Sequence, residues 1–205
     1  MKRQPTQESE ATLNKVLTCI VVGLIAYVGI YQGSYKPLKK AWAIHGLEKK
    51  MAEARTLKDV KGSFQEMLDT KSHIGNQEGV VAVLEYIKVL IPHFPKESDA
   101  IDLVSYGESL ATSKDDVRQM LGVANMYGVL YQTHPDYTEA LAKREKWLLK
   151  VLAITPQSPV ALYSLFDVYN AMGLGAAEER NQVAKTILIL WPSETRLEAY
   201  RYLTK

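Results

Sequence analysis

The sequence predicts an all-α protein: one membrane-spanning helix near the N-terminus, then a domain of helical hairpins. Three observations carry this. Val16 to Tyr35 is a run of twenty residues without a charge. At ~1.5 Å of rise per residue, a helix of that length covers about 30 Å, the thickness of a bilayer's hydrocarbon core. Downstream, apolar residues recur at spacings of three and four, and Pro and Gly clusters cut the pattern into helix-length pieces. The chain thus divides into a polar tail (1–15), the span (16–35), a membrane-proximal amphipathic helix (36–70) and a helical domain (71–205).

Composition bounds the partners. With 47% hydrophobic and 23% charged residues the chain is folded, not disordered. A net charge of +2 is too balanced for nucleic acid to be the main partner. The charge is unevenly placed: Lys36 to Lys61 holds eight basic against three acidic residues, Gly62 to Lys205 fourteen against eighteen. The basic stretch either attracts anionic headgroups or is a solvated helix face. Cys19 is the only cysteine and lies in the span, so the soluble part forms no internal disulfide and no thiolate metal site.

The span ends GIYQGSYKP, without the small-residue pattern of a cleavage site, so it is expected to be a retained anchor that places the chain in the lipid bilayer. Tyr27, Tyr31 and Tyr35 recur every four residues and Trp42 follows. With Lys36, Lys39 and Lys40 they form the expected membrane–water interface. Gly29 and Gly33 make a G-x-x-x-G pair with Ala26 on the same face, a spacing that lets a second transmembrane helix approach. That helix would come from another protein or from a second copy of the chain, so a homo-oligomer stays open. Basic residues flanking the span lean slightly toward a cytoplasmic C-terminal domain by the positive-inside rule, but the counts are nearly level. A short tail before a large domain fits an uncleaved signal anchor. The expected location is therefore a bacterial inner membrane, with the domain on the extracytoplasmic side.

A helix is expected from near Glu10 to Pro37, with a break or kink at the proline. An amphipathic helix follows from Ala41 to about Thr70, with Gly46 and Gly62 as candidate interruptions. HIGNQEG, His73 to Gly79, is a turn by composition. Val80 to Ile91 is apolar enough for a buried strand, but Val83, Leu84, Ile87 and Leu90 keep helical spacing. Pro92 and Pro95 end it. Ser98 is expected to cap the next helix, running to about Thr112. Ser113 should cap the one after, with Asp116 three residues on, and Asp136 the one that runs to Ile154. Ser158 and Pro159 open a helix to Met172. The Gly173/Gly175 turn, a helix from Ala176 to Leu190, the W-P-S-E break and a short helix from Thr195 to Leu203 complete the chain.

The last sixty or so residues carry a repeat. One helix ends at Pro156; a helix with Leu162, Leu165 and Tyr169 follows, then a glycine turn. A second helix with Ala184 and Ile187 ends at Pro192, 36 residues after Pro156. This pattern resembles the tetratricopeptide repeat, whose period is 34 residues and whose second helix precedes a proline. The resemblance covers Tyr137 to Ser193; Phe166 stands where the pattern has a small residue. It implies an α-solenoid that binds protein partners, and no catalytic residue comes with it.

No catalytic, cofactor or metal motif is present. His45, His73, His93 and His134 keep no metal-ligand spacing, and no phosphate-binding glycine loop or nucleophile elbow occurs. Asp115/Asp116 and Glu178/Glu179 sit at helix starts, where carboxylates favour the helix dipole. Twelve tyrosines are the compositional oddity. They serve either helix packing or a peptide or glycan contact. The expectation is a non-enzymatic, membrane-anchored adaptor or assembly factor without cofactor, binding protein partners in a membrane complex. The alternative is a structural subunit held through its transmembrane helix, with the repeat domain as spacer.

Overall fold

The computed structural model describes residues 7–54, 56–69 and 75–204. They are all-α: helices, 3-10 turns and one π-helical turn, with no strand among the described residues. Val80 to Leu90 is accordingly helical, as its apolar spacing predicts. The chain falls into two compact units, Met1–Ala54 with Gly62–Gly79, and Arg55–Lys61 with Val80–Lys205.

In the first unit, α1 (Gln7–Ile30), a π-helical turn (Tyr31–Tyr35) and α2 (Lys36–Glu53) follow one another without a break. The break expected at Pro37 does not occur. Proline has no N–H to give, and its ring presses on the carbonyl four residues back. The widened turn absorbs both effects: the Lys36 N–H reaches back five residues to the Tyr31 carbonyl, a π-bulge within a helix.

The single helix expected over 41–70 is in fact two, and neither Gly46 nor Gly62 interrupts it. The break falls just before α3 (Leu57–Asp69). Thr56 and Asp59 decide this by a reciprocal cap. The Thr56 N–H donates to the Asp59 carboxylate at 3.0 Å, and the Asp59 N–H to the Thr56 hydroxyl at 3.2 Å. The hydrophobic period runs through this point, but the cap starts a new helix.

His73 and most of the turn expected at 73–79 lie outside the described residues. Gly75 has φ +92, a left-handed conformation suited to glycine, and α4 (Asn76–Leu90) begins beside it.

The second unit continues with α5 (Glu97–Leu110), α6 (Val117–Thr133), α7 (Glu139–Ile154), α8 (Pro159–Met172), α9 (Ala177–Leu190) and a 3-10 tail, Thr195–Thr204. From α5 onward each element packs mainly on the next, a solenoid-like arrangement in which neighbours bury one another's apolar faces. Leu103, Val123, Leu130, Leu148, Val168 and Ile187 are fully buried along it. Successive hairpins start at Val117 and Pro159, 42 residues apart, longer than the 34 of the tetratricopeptide pattern.

Three caps differ from expectation. Lys96, not Ser98, precedes α5, and Glu97 and Asp99 lie in its first turn, where carboxylates complement the dipole. Asp116, not Ser113, caps α6, accepting from the Arg118 N–H at 2.9 Å, while Ser113 accepts from the Asp116 N–H at 3.2 Å. Thr138, not Asp136, precedes α7 and makes no side-chain cap. Lys96 and Asp116 supply the extended backbone of a helix entry, while Thr138 is already helical in φ and ψ. Ser158 caps α8 as expected, accepting from the Ala161 N–H at 3.4 Å, with Pro159 opening the helix. Gly173, at φ +75, ends α8. The terminal segment is 3-10 rather than α, bent at Leu197, which is buried.

Candidate functional site

Two surfaces stand out, one in each unit. The first is the helix Leu17–Leu47, 31 residues long and apolar enough to cross a membrane, with none of its most apolar window buried. Leu17, Leu24, Ile25 and Ile30 are each more than half exposed. Tyr27, Tyr31 and Tyr35 form one stacked column, with ring centroids 6.1 and 5.4 Å apart. The Lys36 ammonium lies 5.3 Å from the Tyr31 centroid. Trp42 and Lys39 are exposed. Ala26, Gly29 and Gly33 line up on roughly the opposite side by helix geometry. A methyl group added at Gly29 or Gly33 would meet nothing within 4 Å.

Lys40 departs from its neighbours. Sequence reasoning groups it with the interfacial lysines, but it is only 1% exposed. Its ammonium donates to the carbonyls of Met67 at 2.9 Å and Leu68 at 3.2 Å, the open C-terminal end of α3. Cations there complement the helix dipole and satisfy carbonyls that lack a helical partner.

The second unit explains many of the tyrosines. Glu108 on α5 accepts from the Tyr127 hydroxyl on α6 at 2.5 Å and from the Trp147 indole N–H on α7 at 2.8 Å. One carboxylate therefore joins three helices. Tyr169 on α8 donates to Glu145 on α7 at 2.8 Å. Tyr163 on α8 donates to Glu194 after α9, stacks on Trp191 at 6.0 Å and lies 4.2 Å under the Arg196 guanidinium. Burial and then the facing carboxylate push the Tyr127 and Tyr169 hydroxyls well above the usual tyrosine range. They stay protonated donors. At Gly128 the Arg144 guanidinium packs close: an added methyl would sit 3.0 Å from it, and the arginine would have to give by a few tenths of an ångström.

Hydrogen bonds from the Arg196 side chain, the Tyr163 hydroxyl and the Arg196 N–H, in that order, lower Glu194 from 4.5 to about 2. A carboxylate depressed on folding stabilises fully above its unfolded value and loses that contribution as pH falls through the folded one. Acidification from pH 4.5 to 2 should therefore loosen the tail and release Trp191 from Tyr163. Tryptophan fluorescence against pH checks this. The transition should flatten in Glu194→Gln, and an unchanged profile would show that the contact does not hold the tail.

The residues singled out by the repeat resemblance sit at one hairpin. Leu162, Leu165 and Tyr169 on α8 and Ala184 and Ile187 on α9 are all buried; Pro156 and Pro192 are exposed turn residues. Phe166, where the pattern has a small residue, packs edge-on against Tyr200 at 5.4 Å. Tyr202 is 62% exposed.

Sequence reasoning missed a cleft. It has a volume of about 510 Å³ and lies between the α5–α6 connection, Ala111 to Lys114, and the C-terminal half of α7, Trp147 to Ile154. Met120 and Trp147 form part of its lining, and the Lys150 ammonium sits 3.6 Å from the Trp147 ring centroid. The available signal was Trp147 and Lys150 three residues apart on one helix. It is invisible without the loop that faces them.

No group of histidine, cysteine or carboxylate side chains among the described residues is arranged to hold a metal ion. His45 is exposed, His93 meets the Val89 carbonyl at 3.1 Å, and His134 follows α6 as its C-cap. Compared with protein-family models, curated proteins and solved structures, the chain matches none.

Proposed function

We propose that this chain is a single-pass membrane protein whose tetratricopeptide-like domain acts, without enzymatic activity, as an adaptor or assembly factor in a membrane complex. One observation carries the reading: a helix apolar enough to span a bilayer, with its apolar window wholly unburied, leads into a solenoid-like array. Water penalises so large an apolar surface, and a bilayer does not. The anchor, in a bacterial inner membrane, confines the domain to two dimensions and raises its effective concentration for partners there. The domain faces the extracytoplasmic side and contacts other proteins through its helical surface.

The open face at Ala26, Gly29 and Gly33 favours a second reading, in which the transmembrane helix is the main contact and the domain a spacer. In-cell photo-crosslinking from exposed Tyr202, with partner identification, separates the two. Under the adaptor reading, crosslinks to a membrane partner persist in Gly29→Leu/Gly33→Leu. If that variant loses the complex while a chain lacking 75–204 keeps it, the adaptor reading fails. Protease protection of the domain in right-side-out spheroplasts would place it on the other side.

A further inference from the structure

We propose that the cleft between the α5–α6 connection and α7 binds an acidic peptide segment carrying one bulky apolar side chain. This rests on the adaptor reading and names the chemistry of the partner segment. The lining is apolar at Ala111, Met120, Trp147, Ala153 and Ile154, and charged only at Lys114 and Lys150. Ile154 remains 43% exposed, so apolar surface there is left for an occupant to cover.

Charge selects the occupant. Lys61, Lys88 and Lys143 of the same unit are paired with Asp102, Glu85 and Glu139. Lys114 and Lys150 have no carboxylate partner among the described residues, and both are exposed. They are the only charges on the lining, in a segment, Gly62 to Lys205, where acidic residues outnumber basic ones eighteen to fourteen. Trp147 commits its N–H to Glu108, which leaves its ring face to hold the Lys150 ammonium. An ammonium steadied on an aromatic face still has N–H donors for a carboxylate. Asp115 follows Lys114 but does not line the cleft, and Asp116 is engaged in capping α6. A bulky apolar side chain fills the floor while flanking Asp or Glu residues meet the two lysines.

The test uses the full chain in nanodiscs of zwitterionic lipid. A fluorescein-labelled hexapeptide of sequence EDLFED is titrated by anisotropy, beside KKLFKK. Saturable binding of the acidic peptide alone is expected, weakening as salt screens the charges. Lys114→Glu and Lys150→Glu should each weaken it about tenfold, since like charges then face each other across the contact. Lys114 is exposed and is not the lysine on the Trp147 ring, so it serves as the variant that leaves packing intact, checked by far-UV circular dichroism. Equal binding of both peptides, no binding, or binding indifferent to both reversals would overturn the assignment. Self-association of the chain abolished by the same reversals would give the cleft to a second copy and overturn it too. Domain crosslinks in cells keep the two proposals apart. If they persist in the double reversal, the adaptor reading stands without this cleft; if they are absent from the unaltered chain, the adaptor reading itself falls.

Discussion

Replacing Leu24 and Val28 with arginine is expected to move the protein out of the carbonate-resistant membrane fraction. The two positions lie near the middle of the uncharged run, one turn apart on one face, and are 60% and 54% exposed. Arginine at the centre of a span costs about 3 kcal/mol on insertion scales, so the pair opposes insertion by about 6 kcal/mol. Folding itself should barely change. No buried contact is lost, and arginine is a good helix former. The variant thus reads membrane partition and little else. Flotation on a density gradient checks it: a double-arginine chain that still floats with the membranes would rule out a spanning α1.

Glu108→Ala should destabilise the helical array by about 4 kcal/mol, because hydrogen bonds to a charged acceptor contribute about 1.5–3 kcal/mol each and two are lost together. Tyr127 is 1% exposed, so its hydroxyl is left without water or another partner. Trp147, at 7%, is little better placed. The loss also unties α5 from α7. Glu108→Gln keeps an acceptor oxygen and should cost about half as much. Urea unfolding in detergent, followed by far-UV circular dichroism, measures both. Tyr127→Phe in each background isolates the coupling. A shift no larger than that of an exposed control such as Lys185→Ala would mean that packing alone holds these helices together.

Much of the helical plan was legible because it depends on local signals. Ser158-Pro159 and Gly173 each fix a boundary by their own chemistry, and each does so where the sequence places it. The breaks that went unread depend on competition. Thr56 and Asp59 overrule a continuous apolar period with two hydrogen bonds. Pro37 is overruled by a π turn that the helix can adopt at little cost. The Glu108, Glu145 and Glu194 contacts were illegible for a different reason. Each carboxylate lies far along the chain from its tyrosine and is paired only once the helices stack. A sequence can report an excess of tyrosine, but not which carboxylate each one will find. The cleft at Trp147 is of the same kind, since one wall is the α5–α6 connection and the other the C-terminal half of α7.

Lys40 carries a consequence for how the anchor is read over time. During synthesis the unfolded chain presents Lys36, Lys39, Lys40, Lys49 and Lys50 after the apolar run. Under the anchor proposal this is the set that membrane insertion reads, and it weighs against export of the domain. In the folded state Lys40 is inside, on the carbonyls of Met67 and Leu68, and Lys50 pairs with Glu66 at 2.5 Å. On the same proposal, lipid therefore meets a shorter basic flank, Lys36, Lys39 and Lys49, than the one presented during synthesis. Under the anchor proposal, a change at Lys40 separates these two histories: arginine preserves the charge read at birth and challenges the buried pocket, while methionine removes that charge and leaves an apolar stem of similar length.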